Sequence, residues 1–221
     1  MKKIKTQELF NLDETIAKEL FQSNEYPWEI LSKIHDYIIN LGNSLSLEKF
    51  DKIGNDVWIA KNATISSSAE INGPTIIDEN AEIRHSAFIR GNAIIGKNAV
   101  VGNSTELKNC ILFNNVQVPH FNYVGDSILG YKAHFGAGVI TSNVRIDKLD
   151  IVIRNDENII ETKLKKMGAM VGDNVEIGCN SVLNPGTIIG KNTIVYPLKS
   201  IKGIIDENVI YKDINNIIQK I

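Results

Sequence analysis

The chain has 221 residues, 43% of them hydrophobic, and a formal net charge of −2. That length supports one main core with an appendage, and the near-neutral balance argues against a polyanionic partner such as nucleic acid. No stretch approaches the roughly 18–20 apolar residues of a membrane span, and the opening Met1-Lys2-Lys3-Ile4-Lys5-Thr6 lacks a signal peptide's apolar run, so a cytoplasmic location is expected.

Residues 1–50 read as a small helical segment. Asp13 can cap a first helix reaching Phe21, and Pro27 suits the opening of a second. The second would run from Trp28 to Leu41, with Trp28, Leu31, Ile34, Ile38 and Leu41 on one face and Gly42 ending it. Its apolar face is expected to pack against whatever follows, either the first part of the next domain or a neighbouring subunit.

From about residue 51 every sixth residue is apolar: Ile53, Ile59, Ile65, Ile71, Ile77, Ile83, Ile89, Ile95, Val101, Leu107, Phe113 and Pro119. At this composition a run of that kind in one register has a chance probability on the order of 10⁻⁴. A second column of smaller residues lies four positions on, from Val57, Ala63 and Ala69 through Thr75, Ala81, Ala87, Ala93 and Ala99 to Thr105. Helices repeat every 3.6 residues and strands every 2, so a period of six describes a solenoid of very short strands. Three hexads make an eighteen-residue coil, and coils stack at about 4.8 Å, so roughly seven would form a prism about 30–35 Å tall. Gly and Asn recur at the expected corners, as in Gly91-Asn92 and Gly96-Lys97-Asn98, where a left-handed backbone is needed.

Between Pro119 and Phe135 the step shortens to five, to Val124 and then Leu129, and the polar cluster His120, Asn122, Tyr123 and Asp126 sits there. The repeat breaks after Asn143 and returns at Val171, Ile177, Leu183, Ile189, Val195 and Ile201. The insertion, residues 144–166, reads as a projecting strand pair or loop, the kind of excursion that often carries function. The repeat domain is thus 51–205, and residues 206–221 are expected to cap the open end, with a short helix over Asp213 to Ile221. Cys110 and Cys179 occur singly and are expected to be reduced.

This hexad text resembles the left-handed parallel β-helix (hexapeptide-repeat) acyltransferases. Left-handedness comes from the resemblance, because the general crossover rule gives the opposite hand. The segments Val118-Pro119-His120-Phe121-Asn122-Tyr123-Val124-Gly125-Asp126-Ser127 and Phe135-Gly136-Ala137-Gly138-Val139-Ile140-Thr141-Ser142-Asn143 are similar to the acetyltransferase domain of the bifunctional enzymes that acetylate glucosamine-1-phosphate and then uridylylate it. Only about 50 residues precede the repeat, so no nucleotidyltransferase activity is expected. The resemblance implies acetyl-CoA as cosubstrate, no metal, an amino-sugar phosphate as acceptor, and a homotrimer with sites between subunits. It makes His120 the general base, assigns the amino sugar to Tyr123 and Asn143, and assigns its phosphate to Arg90, Lys108 and Lys166. Acetyl-CoA and the oxyanion would meet the backbone around Gly136, Ala137 and Gly138.

The chemistry fits those roles. An amine attacking a thioester must lose a proton, and imidazoles as a class titrate near operating pH. A phosphate calls for fixed cations, and an oxyanion for hydrogen-bond donors. Two other readings compete. A non-catalytic assembly or regulatory module would need no base. A γ-class carbonic anhydrase would need three zinc-binding histidines: His85 and His120 have nearly the right interval, but Gly125 stands where the third belongs and His134 is too far on.

Overall fold

The computed structural model describes residues 2–220. Its strands wind into a left-handed parallel β-helix with three faces. The first face stacks Val57–Ala60, Thr75–Ile77 and Ala93–Ile95, then residues 110–112 and 127–129, then Ala169–Val171, Thr187–Ile189 and Ile204–Ile205. A second face runs from Thr64–Ile65 to Val209–Asp213, and the third from Glu70–Ile71 to Ser200–Ile201. No rung buries its own apolar residues. Stacking does so, aligning Ile59 with Ile77 and Ile95, eighteen residues apart, while Ala81, Ala87, Ala93 and Ala99 fill the narrow positions with essentially no exposure. Nearly every corner residue has a left-handed backbone, from Asn80, Ser86, Asn92, Asn98 and Ser104 onward. A short polar side chain tolerates that conformation, which explains the Asn-rich corners.

The register corrects the hexad count in two places. Ile53 is 54% exposed, because Phe50–Ile53 pairs antiparallel with Val57–Ala60 as a lid on the first coil, which begins at Val57. Further on, Ile95 faces Leu112 and Val101 faces Val118, so neither Phe113 nor Pro119 occupies the inward column. The first five-residue step therefore lies between Leu107 and Leu112, two hexads earlier than the text suggests, and the second between Val124 and Leu129 as expected. Left-handed corners record both steps, jumping from Ser104 to Asn109 and from Phe121 to Asp126. Phe113 turns outward, with its ring centroid 5.2 Å from that of Phe10 and 5.5 Å from that of Phe21.

That aromatic cluster anchors the N-terminal segment, which is more broken than its pattern suggests. Leu12–Glu14 and Pro27–Ile30 are single 3₁₀ turns, and the α-helices are short: Thr6–Leu9, Lys18–Gln22 and Ile34–Ser44. Gly42 does not end the last one. A Cβ there would stand 2.4 Å from the Trp58 indole, so close packing demands the glycine. Nor does the segment stay by the first coils. It runs the length of the first face: Lys2 Nζ donates to Ile204 O (3.0 Å), Asp173 N to Leu9 O (3.1 Å) and Asn114 N to Glu14 O (2.9 Å), while His35 meets Asn92 (2.9 Å) and Lys49 pairs with Glu79 (3.7 Å).

The insertion does form a strand pair, Val152–Asn155 with Asn158–Glu161, but it lies against the wall. Ile151 and Ile153 are buried over Gly186, and Asn155 exchanges two 2.9 Å hydrogen bonds with the Lys2 main chain. At the C-terminus the expected helix is absent among the described residues. Asn216–Gln219 turns back and pairs antiparallel with Val209–Asp213. A nine-residue helix is marginal on its own, whereas the last rung offers a row of unpaired backbone groups to a strand.

Candidate active site

The five-residue steps bring a polar hub to the third face. Tyr123 faces Glu106 on the rung before it and Ile140 on the rung after, and Lys108 faces Gly125. Gly125 has no side chain because the Tyr123 hydroxyl lies 2.5 Å from where its Cβ would be, so the phenol lies along its own strand. Asp126, 4% exposed at a left-handed corner, sits at the centre. One carboxylate oxygen accepts from Asn109 Nδ2 (2.8 Å) and the other from Asn143 Nδ2 (2.5 Å), with Lys108 Nζ at 3.6 Å. Asn143 Nδ2 also reaches the Tyr123 hydroxyl at 3.3 Å. Burial, and then the nearby Asp126 charge, push the Tyr123 phenol above its ordinary value. Cys110, behind the same corner, is pushed up to about 12, first by burial, so it is no nucleophile.

Arg90 and Lys108 both reach this face, but each already has a carboxylate: Arg90 Nη1 is 2.8 Å from Glu106 Oε1, and Lys108 is paired with Asp126. Lys166 comes back to the same corner through its own backbone. It bridges Val144, and Met167 N donates to Asn143 O at 3.0 Å.

His120 ends the second-face strand Gln117–His120, opposite Asn103, across the Phe121 corner from the third face; it lies three residues before Tyr123 and therefore at most about 10 Å away along the chain. Its side chain is exposed and its ring has no hydrogen-bond partner among the described residues. The backbone beneath it is fixed. Asn122, which is buried, accepts from His120 N (3.1 Å) and donates to Gly136 O (2.8 Å) and Val139 O (3.3 Å), and Gly138 N donates to His120 O (3.0 Å).

The glycine corner below corrects one expectation. Gly136 N donates to Ile177 O (2.8 Å) and Gly138 N to His120 O, so both amides are spent inside the stack. Their missing side chains answer to packing as well: a Cβ on Gly136 would meet Cys179 N at 2.7 Å, and one on Gly138 would meet Asn180 Oδ1 at 2.2 Å. Ala137 N is the amide of the three with no acceptor among the described residues.

Sequence reasoning missed Glu106 and Asn109 and gave Asp126 no role in the site. A signal existed for the last two, because both occupy the left-handed corners created by the short steps. The histidines of the zinc reading are not assembled: His85 meets Ser68 (2.7 Å), His134 meets Glu176 (2.7 Å), and the described residues contain no group of three or more His, Cys, Asp or Glu placed to hold a metal.

Residues 71–210 match the family model described as the GMPPB C-terminal domain, well over half the chain. The chain belongs to that family. Among its relatives, the chain is 40% identical over 202 residues to the bifunctional protein GlmU of Methanococcus maripaludis strain C7, covering 88% of this chain and 48% of that protein. It is 35% identical over 147 residues to the putative uncharacterized acetyltransferase YaiX of Escherichia coli K12, covering 66% of this chain and 64% of that one. The chain thus spans about half the length, or less, of the bifunctional relatives it matches. A solved structure with a similar outline is the acetyltransferase domain of PglB from Neisseria gonorrhoeae, with a TM-score of 0.36, 14% identity, and coverage of 80% of this chain and 62% of that one. No helix among the described residues is long and apolar enough to cross a membrane.

Proposed function

We propose that the chain is an acetyltransferase that N-acetylates a phosphorylated amino sugar of the glucosamine-1-phosphate type, using acetyl-CoA. One observation carries this reading. His120, exposed and unpartnered among the described residues, ends a second-face strand at the corner held by Asn122, and the Tyr123–Asp126–Asn143 hub begins just past that corner on the third face. Acetyl-CoA, when bound, supplies the thioester carbonyl. His120 takes a proton from the attacking amine as the C–N bond forms, Ala137 N–H donates to the developing oxyanion, and His120 returns the proton to the departing thiolate as the C–S bond breaks. Tyr123 and Asn143 hold the sugar, with their donors and acceptors oriented by Asp126.

The active species would be a trimer with sites shared between subunits. The N-terminal segment covers the first face from end to end, leaving the second and third faces for neighbours. His120 at the corner before the third face and Lys166 at that face's far edge would then meet across a subunit boundary, His120 of one chain working with Lys166 of the next.

A non-catalytic module is favoured by one observation, the prior pairing of Arg90 with Glu106 and of Lys108 with Asp126. Coenzyme A release measured across a panel of amino-sugar phosphates separates the two, since a pure scaffold releases none. His120→Ala should lower turnover by about 10²–10⁴, the span attributed to a lost general base. Its thermal midpoint should stay put, because the exposed imidazole makes no hydrogen bond or ion pair among the described residues. Near-normal acetylation by that variant would sink the mechanism.

A further inference from the structure

Phe121 holds a backbone conformation that its own side chain makes costly. Its φ is +51°, and among the described residues every other non-glycine position with a left-handed backbone is Asn, Asp, Ser or Lys, apart from Leu198 at +61°. Short polar side chains tolerate that region, whereas a bulky one brings its Cβ against the following carbonyl and is out of place there. Nothing in the packing offsets the strain. The ring is 60% exposed, lies outside the core cluster, and has no aromatic ring or cation stacked on it among the described residues.

A ladder of main-chain hydrogen bonds fixes what stands beside it. Phe121 N donates to Asn103 O (2.9 Å), Gly138 N to His120 O (3.0 Å), Asn180 N to Ala137 O (2.8 Å) and Leu198 N to Cys179 O (2.9 Å). Ser104, Phe121, Gly138, Asn180 and Leu198 therefore follow one another along the corner between the second and third faces. The residues flanking Phe121 in that column, Ser104 and Gly138, are too small to cover a phenyl ring. Beneath it, Asn122 is buried and tied to Gly136 O (2.8 Å) and Val139 O (3.3 Å), so the corner cannot relax. Strain that the surrounding structure imposes in this way gathers at functional sites.

The corner also separates the two halves of the site. His120 ends the strand before it, and Tyr123 opens the strand Tyr123–Leu129 after it. An amino sugar held by Tyr123 and Asn143 with its amine at His120 has to cross Phe121. One face of a pyranose ring presents C–H groups, and the electron-rich face of an aromatic ring suits them. We propose that Phe121 is the platform on which the acceptor's sugar ring lies, its phenyl face against the C–H face of the pyranose, with the hydroxyls toward Tyr123 and Asn143 and the amine toward His120. This platform deepens the acetyl-transfer reading and rests on it for the identity of the sugar. Leu198 shares the corner and the strain but is three rungs further on, about 14 Å away, out of reach of a sugar seated on Phe121, and it supplies the control.

Phe121→Asn, Phe121→Trp and Leu198→Asn chains test the platform. Removing a bulky side chain from a left-handed corner should raise the thermal midpoint of both Asn variants by roughly 2–8 °C. In calorimetric titration with glucosamine-1-phosphate, Phe121→Asn should weaken binding about tenfold, whereas Phe121→Trp and Leu198→Asn should keep most of the affinity. Coenzyme A affinity, and the assembly seen by light scattering, should be the same for all four chains. A midpoint that falls in Phe121→Asn, no binding of the sugar phosphate by the parent, an affinity indifferent to Phe121→Asn, a loss confined to coenzyme A, or a changed assembly would each overturn the assignment. If sugar-phosphate affinity depends on Phe121 yet no coenzyme A is released, the catalytic reading falls and the platform stands. If Phe121→Asn releases coenzyme A with an unchanged KM for the sugar phosphate, the platform falls and the catalytic reading stands.

Discussion

Replacing Asp126 by Asn tests whether one buried carboxylate organises the site. The left-handed backbone at this position, φ 49°, suits Asn as well as Asp, so the main chain contributes no penalty. The side chain does. Asp126 receives Asn109 Nδ2 on one oxygen at 2.8 Å and Asn143 Nδ2 on the other at 2.5 Å. Asparagine has a single acceptor oxygen, and its amide nitrogen is a donor, so one of those contacts becomes donor against donor. Losing a hydrogen bond to a charged group costs about 1.5–3 kcal/mol. Lys108, partly exposed at 3.6 Å, loses its counter-ion for at most about 1 kcal/mol more. The sum, about 2–4 kcal/mol, corresponds to a fall in thermal midpoint of roughly 5–15 °C for a chain of this size. Asn143 also loses its anchor beside Tyr123, and an ångström of misplacement in such a site costs about 10² in rate. Circular dichroism melting together with a coenzyme-A-release assay reads both quantities. A midpoint within a degree of the parent and unchanged turnover would refute the claim that Asp126 holds the hub together.

Gly42→Ala should destabilise by about 1–3 kcal/mol, since the new methyl group meets the rigid Trp58 indole at 2.4 Å; denaturant titration with no shift in midpoint would refute the close-packing reason for this glycine. Asp78 is buried, its Oδ2 has no partner among the described residues, and burial raises its carboxyl above the usual range. Such a group favours the fold most below its unfolded value, and that contribution disappears as pH rises through the raised folded value. Asp78→Asn should therefore gain stability relative to the parent at pH 7 and show no such gain at acid pH below the ordinary carboxylate value; denaturation at both pH values giving the same difference would exclude the linkage. Finally, inactive His120→Ala and Lys166→Ala chains refolded together should regain activity if each site draws on two subunits, and mixed trimers with no recovery would place both residues in one chain's own site.

The six-residue period was legible because it is local. Corner residues such as Asn80, Asn92 and Asn98 must tolerate a left-handed backbone wherever they stand, and Ile77, Ile83 and Ile89 must turn inward whatever lies above them. The polar text from His120 to Asp126 was legible for a similar reason, as was the strand pair in the insertion. Where two neighbours are equally apolar, local reading fails. Leu112 and Phe113 are both fully buried, and only the pairing of Leu112 with Ile95 decides that the leucine points into the coil while the phenylalanine points out to Phe10 and Phe21. The terminal helix failed likewise, because an open last rung recruits a strand whatever nine residues prefer alone. The paths of the N-terminal segment, the pairing of Arg90 and Lys108 with carboxylates, and the spending of the Gly136 and Gly138 amides on neighbouring coils all depend on partners distant in sequence. A repeat text specifies each coil's shape. Which backbone groups and charges remain free for chemistry is settled only when coils stack, because stacking consumes donors and acceptors from residues about seventeen or eighteen positions, or one whole insertion, away.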